Sequence, residues 1–389
     1  MKAALALASL SIVAACGGDV AEDPASAAAG AAGQSAAAGS AGSAGQAAAG
    51  SGGAGGGGQT QGGAAGAAVD PGVGGGPPAP PTGAPSGDGS GTNVQAVTQL
   101  VLGTDPSTIY SIAYPVDGRR FATPDAPGHC KPRDGAKPLD VVVDGPLGED
   151  NSFGKLVVPI VAGFSPDVQT TLDASIAAGS FSLLVRVDAL GPQGSYAGLA
   201  AELFAADGMR DAAGKSIPPM DWANYAWEPV PSSLESTAGE GDALHSLVKF
   251  PSSWVSGDRW VSGAPSTLSF GLSISGQTLH LELRAARMSH ALDASRDHGD
   301  EGVISGVLAA EALGESVRAL AGKASPALCK GALIDTLILQ IEGAADMMQD
   351  GTQDPSATCD GISIGLGYRT ARSRIGKAAP EGKPSNPCP

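Results

Sequence analysis

Apolar and polar residues alternate with a period of two in several stretches beyond residue 180. Phe181, Leu183, Val185 and Val187 fall on one face while Ser182, Arg186 and Asp188 fall on the other, the pattern of a strand buried on one side. Leu268, Phe270, Leu272 and Ile274 alternate with Ser269, Gly271 and Ser273; after Ser275-Gly276 the alternation resumes with Leu279, Leu281 and Leu283 against His280, Glu282 and Arg284. Residues 267–285 are therefore predicted as an antiparallel hairpin. Further strands are expected at 139–143, 198–205, 246–250, 302–308 and 361–369.

A helical period marks fewer segments. Ser165-Pro166-Asp167 offers an N-cap followed by proline at the first helical position, and Gly179 closes that segment. A second helix is expected from about Ala309 to Ala321, ahead of Gly322. The longest starts at Ser325-Pro326 and runs to about Met348, with Leu333, Leu337, Ile341, Ala345 and Met348 on one stripe. Asp335 and Glu342 interrupt it, so it reads as a helix packed on a core and not as a membrane span. No linker divides residues 93–389. The expected fold is one β-rich α+β domain over 93–389, an antiparallel, sandwich-like sheet core with a few packed helices, preceded by a disordered linker.

The leading region follows other rules. Met1, Lys2 and the apolar run Ala3 to Ala15 read as a secretory signal, residues 1–15, too short to span a bilayer. Val13-Ala14-Ala15-Cys16-Gly17 resembles a bacterial lipobox, which implies cleavage before Cys16 and lipid attachment there. By the same analogy, Gly17 in place of Asp implies sorting to the outer membrane or cell surface. An ordinary signal peptide with an incidental Cys16 is the alternative. Residues 16–92 hold 25 of the 58 glycines and no aromatic residue. Glycine interrupts each alanine run before a helix can nucleate, so this Ala/Gly/Ser/Pro-rich stretch is expected to remain a disordered tether, with an r.m.s. span of about 50 Å.

The chain carries a formal charge of −16. Setting aside Lys2 and five acids of the leading region leaves 22 bases against 34 acids beyond residue 92. That excludes the basic footprint of a nucleic-acid binder. Beyond Cys16 lie Cys130, Cys329, Cys359 and Cys388, an even number in an exported chain, which predicts two disulfides. Of three pairings, Cys329 with Cys359 and Cys130 with Cys388 are favoured. With no CxxC pair, a thiolate metal site is not expected.

Candidate chemistry is sparse. Gly361-Ile362-Ser363-Ile364-Gly365 matches the nucleophile-elbow pattern, yet Ile362, Ile364, Leu366 and Tyr368 alternate with Ser363, Gly365 and Gly367, placing Ser363 in mid-strand, and no histidine follows His298. The segment His290 to Glu301, with Asp293, Asp297, His298 and Asp300, concentrates imidazoles and carboxylates at a spacing that matches no metal signature. Asp134, Asp140, Asp144 and Asp150, with Gly145, Gly148 and Asn151, raise calcium in the same way without the EF-hand spacing. No catalytic set, metal site or cofactor motif is identified. All four tryptophans, Trp222, Trp227, Trp254 and Trp260, fall within 39 residues together with Tyr225. Flat rings among Pro218, Pro219, Pro229 and Pro231 could form a glycan-stacking platform; the competing reading is that they plug an aromatic-poor core.

Gly302-Val-Ile-Ser-Gly-Val-Leu308, Cys359-Asp-Gly-Ile-Ser-Ile-Gly-Leu-Gly367 and Asp150-Asn-Ser-Phe-Gly154 resemble tracts of uncharacterised bacterial lipoproteins that carry the same tether. The resemblance covers most of residues 130–388 and implies a shared fold with no known activity. The expected function is that of a lipid-anchored cell-envelope protein, held in the membrane through Cys16, whose domain binds a polysaccharide or another envelope component such as an envelope protein. The alternatives are an envelope glycan hydrolase using two carboxylates, and a structural spacer.

Overall fold

Among the described residues, a main sheet of eleven strands and a separate pair, Ala67–Ala68 with Arg119–Arg120, can be traced in the computed structural model, which describes residues 67–68, 75–89, 91–164, 166–210, 222–274, 277–380 and 388. The signal peptide, Cys16, most of the tether, Pro218, Pro219, Ser165 and the Ser275-Gly276 turn lie outside the described residues. The strands of the main sheet are β1 (Thr92–Val101), β2 (Ser182–Asp188), β3 (Tyr196–Arg210), β4 (Ala226–Pro229), β5 (Val248–Ser256), β6 (Arg259–Val261), β7 (Ser266–Ile274), β8 (Gln277–Leu292), β9 (His298–Ala309), β10 (Gly361–Arg372) and β11 (Arg374–Ile375). The strands expected near 181–188, 198–205, 246–250, 302–308 and 361–369 are all present. The 267–285 hairpin pairs antiparallel, with Phe270 opposite Leu281 and Leu272 opposite Leu279.

The sheet closes on itself, where a sandwich was expected. Eight strands run in the order β3-β2-β1-β10-β9-β8-β6-β5, and β5 returns to β3 through Tyr196↔Val255 and Leu203↔Val248. Two long strands make closure possible. The 16-residue β8 pairs with β7 along its first half and with β6 near its end, with register shifts between Arg284 and Arg287 and between Ser289 and Ala291. Bulges of this kind bend a strand and let it change neighbours. β3 bends likewise between Tyr196 and Leu199, where Gly198 takes φ +70, a backbone that glycine adopts without a Cβ clash.

Successive side chains of β2 reach two different cores. Leu183, Val185 and Val187 join the main core with Phe250, Trp260, Leu268, Leu283, Ile364 and Leu366, while Leu184 joins a second cluster with Val94, Ala96, Phe204, Trp227, Leu234, Leu244 and Ile375. One face of this wall therefore packs on the barrel core, and the other is padded by the excursion of residues 222–247 with β4 and β11. Arg186 sits under that padding, giving Nη2 to Glu202 Oε2 at 2.7 Å and Nη1 to Leu244 O at 2.8 Å.

The helices are α1 (Pro138–Val141), α2 (Val158–Phe164), α3 (Val168–Ala177), α4 (Ala310–Ala324) and α5 (Ala332–Glu342). The strand expected at 139–143 is instead the short α1, because Pro138 at its first position presets a helical φ. In α3 the N-cap position is Asp167 and the helix begins after it. The long helix expected over 326–348 is broken into a 3₁₀ turn, Pro326–Cys329, and α5, with Gly331 at φ +121 between them. The break rotates the stripe: Ile334, Ile338 and Ile341 face inward and Leu333 is 63% exposed. Among the described residues no helix is long and apolar enough to cross a membrane.

Two disulfides form, in a different pairing from the one favoured: Cys130 with Cys359, and Cys329 with Cys388. The backbone explains the choice. Lys131 N donates to Ala357 O and Cys359 N to Lys131 O, which lays Cys130 beside Cys359. Cys329 ends the 3₁₀ turn next to α4, where the Cys388 sulfur lies 3.5 Å from Arg318 O. Two disulfides indicate an oxidising compartment, hence export.

The described end of the expected tether is held on the barrel. Trp254 Nε1 donates to Pro78 O at 3.0 Å, Ala197 N to Pro85 O at 2.8 Å and Tyr196 OH to Asp88 Oδ2 at 3.3 Å. The 16–92 tether span therefore overshoots at its C-terminal end, because the Pro-rich run finds backbone and indole partners on the wall.

Candidate functional site

β10 leaves the barrel wall with its alternation intact. Ile375 points into the outer core opposite Trp227, Ser373 points the same way, and Arg372 and Arg374 point out. Ser373 N donates to Val94 O at 2.9 Å, Gly376 N to Trp227 O at 2.8 Å and Gly241 N to Gly376 O at 3.1 Å, so the segment is clamped between the start of β1 and the padding excursion. A groove of about 450 Å³ results, lined by Val94, Asn224, Asp242, Arg372, Ser373 and Arg374 among others.

Its polar groups are unevenly satisfied. Arg372 Nη1 reaches Asp297 Oδ1 at 2.8 Å. Arg374 is exposed and has no acidic partner among the described residues. Ser373 is only 5% exposed, and among the described residues its Oγ has no hydrogen-bond partner, an arrangement that costs about 1–3 kcal/mol when left unmet.

The aromatic candidates separate into three groups. Trp260 is fully buried in the barrel, 6.0 Å from the Phe250 ring and 5.2 Å from that of His290. Trp227 is fully buried in the outer core. Trp254 is half-buried and bonded to Pro78. Only Trp222 and Tyr225 stay half-exposed beside the groove, bracketing its wall residues Ala223 and Asn224, with Trp222 stacked on Trp227 at 5.6 Å and 23°. The five rings therefore do not make one platform.

The acidic turns converge on a buried network. Asp150 accepts from Val116 N at 2.6 Å, Asp144 from Phe121 N at 2.5 Å, and Asp346 from Ser363 N at 2.7 Å and Ser363 Oγ at 2.5 Å. Burial, and then the neighbouring carboxylates, push Asp144 up to about 8 and Asp150 well above its ordinary value, and burial pushes Asp346 up to about 7. Asp117 is raised too, by burial. Asp134 and Asp140 are not drawn into this network. Among the described residues no three His, Cys, Asp or Glu groups are arranged to hold a metal ion. Ser363 is fully buried in mid-strand, its Oγ also accepting from Ser152 N at 2.8 Å, so its hydroxyl is committed to packing.

The His290–Glu301 segment disperses. His290 is buried, its Nδ1 2.9 Å from Tyr368 OH, and burial lowers its imidazole to about 3. Asp293 Oδ1 accepts from the amides of Asp297 and His298, Asp300 pairs with Arg369, and Glu301 with Arg259. Arg296 is buried, donating to Gly191 O, Pro192 O and Gln193 O.

The groove residues went unread in the sequence, although a signal exists. Arg369, Arg372, Arg374 and Lys377 stand together with no acid from residue 361 to residue 380, in a chain that is acidic elsewhere. Comparison with protein-family models, curated proteins and solved structures finds no match.

Proposed function

We propose that this is a lipid-anchored protein of the outer membrane or cell surface, related to the tethered lipoproteins it resembles, whose barrel binds a polysaccharide or another envelope component in the groove beside Trp222. The observation that carries the reading is the half-exposed Trp222 indole beside the groove, stacked in advance on the buried Trp227 at 5.6 Å. A ring fixed in place gives stacking area at little entropic cost, and a few polar groups below it orient a sugar. The buried carboxylates support this reading over hydrolysis, since Asp144, Asp150 and Asp346 accept main-chain amides of their own fold.

Two experiments test it. Radiolabelled palmitate should enter the full-length chain in cells and be absent from Cys16→Ser; equal labelling of both sinks the anchor. The full-length Cys16→Ser chain, titrated with envelope polysaccharides, should bind at least one, and Trp222→Ala should weaken that binding about tenfold, the worth of one aromatic contact near 1.4 kcal/mol. Indifference to every glycan sinks the binding reading.

A further inference from the structure

We infer that the groove takes a carboxylate-bearing sugar, a uronate-type chain, with Arg374 as the anion anchor. This rests on the groove-binding reading above and gives the ligand its charge.

The argument starts from charge placement. The chain is at −16, and its arginines are mostly spoken for: Arg133, Arg186, Arg259, Arg296 and Arg318 each hold a carboxylate. In the basic run at the groove, Arg369 pairs with Asp300 at 3.3 Å and Arg372 with Asp297 at 2.8 Å. Arg374 and Lys377 are exposed and have no acidic partner among the described residues. Of the two arginines that line the groove, Arg372 is neutralised by Asp297 and Arg374 is the one left to meet an anion, with Asp242 on the same lining.

Geometry adds specificity. Arg374 lies at the register position opposite Ala226 on a strand pinned on both sides, by Ser373 N to Val94 O and by Gly376 N to Trp227 O, so its backbone is fixed before a ligand arrives. A guanidinium fork matches a carboxylate with two parallel hydrogen bonds.

The remaining lining residues set the charge density. Asp242 and Asn224 also face the groove. A carboxylate there accepts from sugar hydroxyls and disfavours a dianionic phosphate ester more than a singly charged uronate, because repulsion scales with the ligand's charge. A guanidinium and a carboxylate in one groove therefore fit a ring with several hydroxyls and one carboxylate.

The test uses the full-length Cys16→Ser chain and four probes: polygalacturonate, the same polymer with its carboxyls reduced to alcohols, a phosphomannan, and neutral dextran. Polygalacturonate is expected to bind at least tenfold tighter than its reduced form. Arg374→Gln should cost about tenfold and flatten the salt dependence, whereas Arg120→Gln, an exposed arginine outside the groove, should change nothing. Equal binding of the reduced polymer, lost in Trp222→Ala and untouched by Arg374→Gln, overturns the uronate inference and leaves the glycan reading standing. Preference for phosphomannan overturns it in favour of a different anion. No binding by any polymer overturns both.

Discussion

Trp254 gives its indole N–H to the carbonyl of Pro78 at 3.0 Å, and this bond fastens the Pro-rich end of the leading region to the barrel wall. Proline carbonyls are unencumbered acceptors in an extended run, and a tryptophan edge is a rigid donor. Replacing Trp254 by Ala should leave the barrel folded and expose residues 75–89 to a non-specific protease, while Trp254→Phe, which loses about 1 kcal/mol of hydrogen bonding, should fall between. Identical cleavage rates in all three proteins would show that the segment is held by other contacts.

Stability should fall as pH rises from about 4 toward 8. Asp346 and Asp144 titrate near 7 and 8 in the folded state, both raised first by burial. Their contribution to stability is complete below the unfolded value near 3.9 and is lost as pH climbs through 7 and 8, at up to about 1.4 kcal/mol per pH unit for each proton. His290, lowered to about 3 by burial, acts oppositely: its contribution is complete above 6.5 and lost as pH falls toward 3. Urea titrations at pH 6.5 and 8 should therefore show a loss, shallower in Asp346→Asn. A flat profile would mean that the carboxyls are ionised in the fold.

Arg186 and Glu202 should be costly to separate. They meet at 2.7 Å beneath the padding, and both are buried. Glu202→Ala leaves a buried guanidinium uncompensated and should cost about 3–5 kcal/mol, whereas the double variant Arg186→Met/Glu202→Leu should cost less than that single change. Chemical denaturation of both decides it, and a double variant weaker than the single would contradict the argument.

The two disulfides should differ in weight. Cys130–Cys359 spans 229 residues and Cys329–Cys388 spans 59, so chain entropy assigns about 5 kcal/mol to the first and about 4 kcal/mol to the second. Replacing each pair by alanines and comparing urea midpoints measures the order. Peptide mapping without reductant checks the connectivity, and a Cys329–Cys359 peptide would refute it.

Much of the strand content was legible because alternation is local. Leu268 to Ile274 against Leu279 to Leu283 named a hairpin that pairs in that register. The strand expected at 139–143 failed because Pro138 presets a helical start, and the long helix failed because Gly331 interrupts it. For the site, the run from Arg369 to Lys377 was readable as charge; that Arg374 has no acid among the described residues while Arg369 and Arg372 have one follows from where Asp300 and Asp297 come to rest across a strand pair.

By itself, then, the sequence determined the two-residue periods, the count of cysteines, the acidic balance and the abrupt change of composition near residue 92, since each is a property of short stretches of chain. Barrel closure, the partner of each cysteine, and the fates of Trp222, Trp227, Trp254 and Trp260 were decided only in the tertiary structure. A side chain's polarity says that it prefers burial but not against what. The partner is chosen by which distant segments meet, and between Tyr196 and Val255, or Cys130 and Cys359, that choice is made by register and bulges elsewhere in the sheet.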